Sequence, residues 1–283
     1  MRKKRGFSLL ELSIVLLVIA VIIGMITQSS DVLQTARLST ARSITKSSVV
    51  NDIPGLILWL DATSEDAFDT AMDDGTTVAN WNDINPNPNN VTPYIATQGT
   101  VANRPTYRKA ILNDLPGLDF DGVNDNFVIS NFKANSYMTL FVVGNFSPVG
   151  GKTAFIEHSV SMASNDGFYF YGFGNKVGGV SRNGTVINGT FDLNWFKGYI
   201  TSIGVLRYDG TNISYKRNSN SFTNSAGSIP NTSVTTNLYI GSEAGSILFS
   251  DGAFGEIIMF DRALSDTEVN DIVTYLTKKW QIE

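Results

Sequence analysis

The chain has 283 residues, with Lys+Arg 21 against Asp+Glu 26, one His and no Cys. Without cysteine there is no disulfide and no thiolate metal site, and the lone His158 does not make a zinc centre. The acidic balance deepens once the four cations at residues 2–5 are set aside, which leaves no basic footprint for nucleic acid.

The chain opens with Arg2-Lys3-Lys4-Arg5-Gly6, followed by an apolar run over residues 7–27 whose one charge is Glu11. A hydrocarbon core of roughly 30 Å takes about 20 apolar residues at about 1.5 Å rise each, so this run is predicted to span a bilayer as one helix. The cations hold the start of the chain on the cytoplasmic side and place the remainder outside. A carboxylate within such a helix costs on the order of a few kcal/mol and calls for a partner. An ordinary secretory signal has its small-residue cleavage site after the apolar run. Here the small residue beside a charge cluster is Gly6, ahead of the run, so cleavage there leaves the helix attached.

Gly6-Phe7-Ser8-Leu9-Leu10-Glu11 resembles the processing signal of type IV pilins and pseudopilins. The resemblance, which covers only the start of the chain, implies cleavage after Gly6 by prepilin peptidase and methylation of the new N-terminal Phe7. It further implies an inner-membrane stage before assembly, and a pairing of Glu11 with the Phe7 amine of a neighbouring pilin-like subunit. That amine supplies the partner a buried carboxylate needs. The alternative is a plain N-terminal anchor with an incidental Glu.

Val32, Leu33, Ala36, Leu38, Ala41 and Ile44 form a loose helical stripe, so the helix is predicted to continue beyond the membrane and to stop ahead of Pro54-Gly55. Three segments are expected: a leader at 1–6, a helix at 7–52 with its transmembrane part at 7–27, and a domain at 53–283.

Past Pro54 the apolar period becomes two. Runs at 56–60, 118–120, 127–129, 138–146, 154–157, 167–173, 176–182, 200–208, 213–217, 238–240 and 255–260 are predicted strands. Asn183-Gly184, Asn188-Gly189 and Asp209-Gly210 are predicted turns. So many short strands imply a mainly β fold, a two-sheet antiparallel sandwich. Ser265-Asp266-Thr267-Glu268 is a capping box, and Val269, Ile272, Val273, Leu276 and Trp280 recur at helical spacing after it. A C-terminal helix is therefore predicted, with Lys278 and Lys279 suiting its dipole.

Several pieces of this domain resemble the LamG-like, concanavalin A-like jelly-roll family. They are Gly55-Leu56-Ile57-Leu58-Trp59-Leu60-Asp61-Ala62, Trp81-Asn82-Asp83, Arg104-Pro105-Thr106-Tyr107, Leu118-Asp119-Phe120-Asp121-Gly122-Val123-Asn124-Asp125, Phe254-Gly255-Glu256-Ile257-Ile258-Met259-Phe260-Asp261-Arg262-Ala263-Leu264-Ser265 and Lys279-Trp280. The resemblance implies a jelly roll that binds carbohydrate or protein ligands outside the cell, in some members with calcium. Asp119, Asp121, Asn124 and Asp125 offer oxygen ligands for calcium beside a glycine. The alternative is an Asx-rich turn. Asp61, Asp83 or Glu256 would join such a site only if the fold brought them close.

In Phe168-Tyr169-Phe170-Tyr171-Gly172-Phe173, Phe168 and Phe170 fall on one strand face and Tyr169, Tyr171 and Phe173 on the other. One set is expected in the core, and Tyr169 and Tyr171 are the candidates to stack on a sugar, the alternative being that they pack. Some relatives of this architecture are glycan hydrolases with a Glu-x-Asp-x-x-Glu strand. Here Glu157 precedes His158, and Glu256 precedes Ile257 and Ile258, so no paired carboxylates lie on one strand and no enzyme is expected. The expectation is a pilin-like minor or tip subunit displaying a binding domain for adhesion, outside the cytoplasm. The alternatives are a pseudopilin that recognises secretion cargo and a membrane-anchored glycan-active enzyme.

Overall fold

The computed structural model describes residues 9–86, 93–133, 137–147, 152–159, 167–173, 176–183, 186–192, 200–226 and 235–283. Helix α1 (Leu9–Lys46) comes first. Strands β1 (Leu56–Asp61), β2 (Asn80–Asn82), β3 (Ile95–Thr97), β4 (Thr106–Leu112), β5 (Leu115–Asp121), β6 (Phe127–Lys133), β7 (Met138–Phe146) and β8 (Lys152–Ser159) follow. The chain continues through β9 (Gly167–Phe173), β10 (Lys176–Asn183), β11 (Val186–Asp192), β12 (Ser202–Tyr208), β13 (Asn212–Arg217), β14 (Thr223–Ala226), β15 (Thr235–Ile240) and β16 (Asp251–Phe260) to helix α2 (Asp266–Trp280).

The strands make two antiparallel sheets. One has the order β14-β13-β12-β7-β16-β5-β4, the other β11-β10-β9-β8-β15-β6-β3-β2. The long β16 lies against β7 on one side, and on the other pairs β5 through its first half and β1 through its second. Alternation on the strands then makes two apolar layers. Leu58, Phe120, Leu140, Phe155, Phe168, Leu206 and Ile257 meet between the sheets. Trp59, Phe141, Val205 and Ile258 point to the other face of the first sheet, where Ile272, Leu276 and Trp280 of α2 and Ala41 of α1 cover them. The result is sheet, sheet and helices in three layers.

Helix α2 forms as its capping box directs. Ser265 Oγ accepts the Glu268 amide at 3.3 Å, and Glu268 Oε2 accepts the Ser265 amide at 2.8 Å. Arg262 adds a fork to the same carboxylate at 2.5 and 3.1 Å and, with the Ser265 amide, holds Glu268 down at about 2. Gly255 lets the helix seat closely, because a Cβ there would meet the Trp280 ring at 2.6 Å. At Asp209-Gly210 the turn also forms as expected, Gly210 taking φ +87 and Asp209 Oδ1 accepting the amides of Thr211 and Asn212 at 2.9 and 2.6 Å.

Two expectations are corrected. Asn188-Gly189 is no turn but lies within β11, paired with Ser181 and Val180 of β10 across an unbroken register. Local turn preference loses there to seven cross-strand pairs. The first helix ends at Lys46 and not near residue 52, the chain passing through a 3-10 turn at Val49–Asp52 before β1. Among the described residues no helix is long and apolar enough to cross a membrane. Of the expected span at 7–27, residues 9–27 lie within α1, whereas Gly6 and Phe7 lie outside the described residues, as does the Glu11 side chain.

Candidate functional site

The first site is the junction where α1 meets the domain. Along α1, Gln34 Nε2 donates to the Lys109 carbonyl at 2.9 Å, Arg37 pairs with Asp114, and Arg42 reaches the Thr63 carbonyl and Glu65, both at 2.8 Å. These bonds bound a groove of about 570 Å³ between helix and sheet. Below them Thr45 Oγ1 donates to Asp61 Oδ2 at 3.1 Å, inside the protein.

Asp61 belongs to a sealed network. It stands opposite Glu256 in the β1–β16 register, and Lys279 of α2 lies between the two carboxylates, with Nζ 2.6 Å from Asp61 Oδ2 and 2.8 Å from Glu256 Oε2. Glu256 also accepts from Trp59 Nε1, Tyr275 Oη and Trp280 Nε1, each at 2.7 Å. Burial pushes the Glu256 carboxyl up, and the neighbouring Lys279 ammonium pulls it back. One network thereby joins both helices and two strands. Lys279 is 2% exposed, so it is not a surface cation complementing the helix dipole as its position in the last turn predicts.

The second site is a polar cleft of about 400 Å³ beside the N-terminus of α2, at the β12–β14 end of the first sheet. Arg207 stacks 4.2 Å over the Phe222 ring and donates to the Leu264 carbonyl at 2.9 Å and Asp266 at 2.6 Å. Its buried Nε has no acceptor among the described residues. Lys216 is 5% exposed, bonds Asn270 Oδ1 at 3.0 Å, and burial lowers its ammonium while Asp266 opposes the shift. Two cations on an aromatic ring, with one carboxylate, suit an anionic ligand bearing hydroxyls.

The predicted residues fall elsewhere. Asp121 Oδ1 accepts the amides of Val123, Asn124 and Asp125 at 2.8, 3.1 and 3.3 Å, while Asp125 Oδ2 accepts the Asp121 amide at 3.0 Å. Asp119 pairs with Arg108 at 3.3 Å. This is the geometry of an Asx-rich turn, and among the described residues no three His, Cys, Asp or Glu side chains converge to hold a metal. Asp61 and Glu256 are in the junction instead. Asp83 is not with them; it caps the Trp59 and Asn85 amides at 2.8 and 3.0 Å, and burial raises its carboxyl to about 6.

Phe168 and Phe170 are the set that lies in the core. Tyr169, however, is 3% exposed and Tyr171 half-buried, their rings edge-on at 6.4 Å, so Tyr169 has no open face for a sugar. The chain after β15 folds back here, with Ala244 donating to Glu157 Oε2 at 2.5 Å and Leu248 accepting the Ala154 amide at 2.9 Å. His158 stacks on Phe168 and meets the Phe132 carbonyl at 3.2 Å, in keeping with a structural role. The cleft residues Arg207, Lys216 and Phe222 went unread because they become neighbours only through the β12–β13 hairpin and its closure on α2.

The family model for the prokaryotic N-terminal methylation motif matches residues 1–27. No curated protein matches the chain in sequence. Among solved structures, a Trypanosoma rangeli sialidase in complex with a difluoro-KDN matches with TM-score 0.52 at 14% identity, over 80% of this chain and 33% of that one. The same sialidase with sialic acid matches with TM-score 0.50 at 15% identity, over 80% and 33%. The CBM40 of the Ruminococcus gnavus IT-sialidase, bound to alpha2,3 sialyllactose, matches with TM-score 0.47 at 15% identity, over 56% and 95%. The chain thus spans about a third of the sialidases. The expectation that no enzyme is present, which rested on the missing paired-carboxylate strand, is overturned, because solved structures that share the fold include sialidases. At this identity the likeness shows the fold alone. The chain therefore begins with a type IV pilin-type methylation motif and continues into a concanavalin-like jelly roll.

Proposed function

We propose that the chain is a pilin-like subunit whose jelly roll is a glycan-recognition head. In this reading residues 1–6 are a leader removed by prepilin peptidase, and residues 7–52 are the stem. The 7–27 part anchors the stem in the inner membrane before it packs against other subunits, and residues 53–283 are carried outside the cytoplasm. The observation that carries the reading is the methylation motif at residues 1–27 leading into α1, the helix that the head grips through Arg42 and Thr45. A head of this size fits a minor or tip subunit better than a repeating shaft. The test is the mass of the mature N-terminus: a chain beginning at N-methylated Phe7 is expected, and an N-terminus elsewhere overturns the reading.

The Arg207–Lys216–Phe222 cleft is the part of the head whose chemistry fits an acidic sugar. A carboxylate would take the Arg207 guanidinium and the Lys216 ammonium, with Asn270 and Asn220 for hydroxyls. Binding of acidic against neutral oligosaccharides to the full chain, with and without Arg207→Gln, tests it. Acid-selective binding lost in the variant is expected; equal binding of neutral sugars removes the cleft. A pseudopilin that recognises cargo shares the stem and differs in what fills this cleft.

A further inference from the structure

The sealed triad at the junction has the parts of a condensation site. The side chains of Asp61, Glu256 and Lys279 have no exposed surface. Nζ lies 2.6 Å from Asp61 Oδ2, so the amine and the carboxyl it would condense with are already in contact. Asp61 Oδ1 accepts both the Thr63 amide at 2.9 Å and the Thr63 hydroxyl at 2.7 Å. Those donors stand where negative charge gathers when an amine adds to the carboxyl carbon.

Glu256 is fixed as a base. Trp59 and Tyr275 hold Oε1, Trp280 holds Oε2, and Oε2 accepts from Nζ at 2.8 Å. Trp59, Tyr275 and Trp280 are 2%, 7% and 0% exposed, so water is kept from the site. As an ion network the triad would hold two carboxylates and one ammonium away from solvent. Among the described residues Lys279 is the one cation bonded to either carboxylate. Condensation would remove the charges of Asp61 and Lys279 together and leave the Glu256 carboxylate to the Trp59, Tyr275 and Trp280 donors.

The geometry points to an amide bond between Asp61 and Lys279, formed within the folded protein with Glu256 moving the protons. Glu256 takes one proton from the ammonium, and the free amine adds to Asp61 Cγ to make the C–N bond. The Cγ–Oδ2 bond then breaks, and Oδ2 leaves as water with two of the three Nζ protons, one of them returned by Glu256. An ammonium and a carboxylate become an amide and one water; Glu256 ends as it began, and no other reactant enters. The bond joins positions 218 apart and ties β1, the strand that follows the stem, to the C-terminal helix. It does not depend on what the head recognises.

The test is the denatured mass of the full chain, purified folded in detergent, followed by proteolytic mapping. A mass lower than that of the linear chain by one water is expected, with one branched species joining the peptides of Asp61 and Lys279. Lys279→Met should have its full linear mass and no branch, and Glu256→Gln should lack the branch. A wild-type chain of full mass with both peptides linear overturns the proposal, as does a water loss mapped to any other position. A branch that persists in Glu256→Gln overturns the role of Glu256. The wild-type readout needs no variant to fold.

Discussion

Two acidic clusters in this protein are built in opposite ways. In the loop after β5, Asp121 and Asp125 bind amides no more than four positions away. At the junction, Asp61 and Glu256 bind side chains from α1, the segment after β1, and α2, across as many as 218 positions. The loop carboxylates shape a turn, Asp121 at the surface and Asp125 buried beneath it. Those of the junction are sealed, and they hold the layers of the molecule together. The comparison shows that carboxylates of one chemical kind act locally or globally according to which donors surround them.

The largest effect that would break the comparison is at Lys279. Replacing it with Met strands two carboxylates away from solvent, and denaturant unfolding should show a loss of about 3–5 kcal/mol. A loss as small as that of a loop variant would mean the junction is no more global than the turn. Asp121→Ala, which removes one acceptor for three amides at the surface, should cost about 1 kcal/mol by the same measurement.

The pH dependence sharpens the contrast within the carboxylates outside the triad. Burial raises Asp125, with Asp121 adding to the shift, to about 6, and Asp83 is raised to about 6 by burial. A carboxyl whose folded value lies above its unfolded one favours the fold most when protonated. Its contribution is complete below the ordinary aspartate value of 3.8 and is lost as pH rises through about 6. Glu268 has the opposite sign: held at about 2, it contributes above 4.5, and that contribution is lost as pH falls through about 2. Asp125→Asn should therefore flatten the part of the stability curve between about pH 4 and 6. An unchanged curve there would remove Asp125 as a titrating group. The smallest effect concerns calcium, since Asp121 Oδ1 and Asp125 Oδ2 are already taken by amides. Millimolar calcium against chelator is expected to leave the melting midpoint in place, and a calcium-dependent rise would show that the loop opens to an ion.

Much of the architecture was legible because its causes are local. The capping box announced α2, alternation announced β7, β12 and β16, and Asp209-Gly210 announced its turn. The segments that escaped notice are β2, β3, β4, β11 and β14. β2 and β3 are three residues each, β14 ends a sheet, and β4 carries exposed Lys109 and Ala110 where an apolar run would be sought. β11 contains a dipeptide that by itself favours a turn.

By itself the sequence determined the order of the parts: a basic start, an apolar helix with one acid, a β sandwich and a capped last helix. These follow from periodicity, capping and turn chemistry, which act between residues a few positions apart. Only the tertiary structure decided the partners. Lys279 reads as a dipole cation on its own helix, and is brought against Asp61 and Glu256 because β1, β16 and α2 converge. Tyr169 reads as an open ring and is covered, while Arg207, Lys216 and Phe222 share a cleft that no spacing foretells. Burial, and with it the strength of every charge and hydrogen bond at these sites, is set by contacts between distant segments.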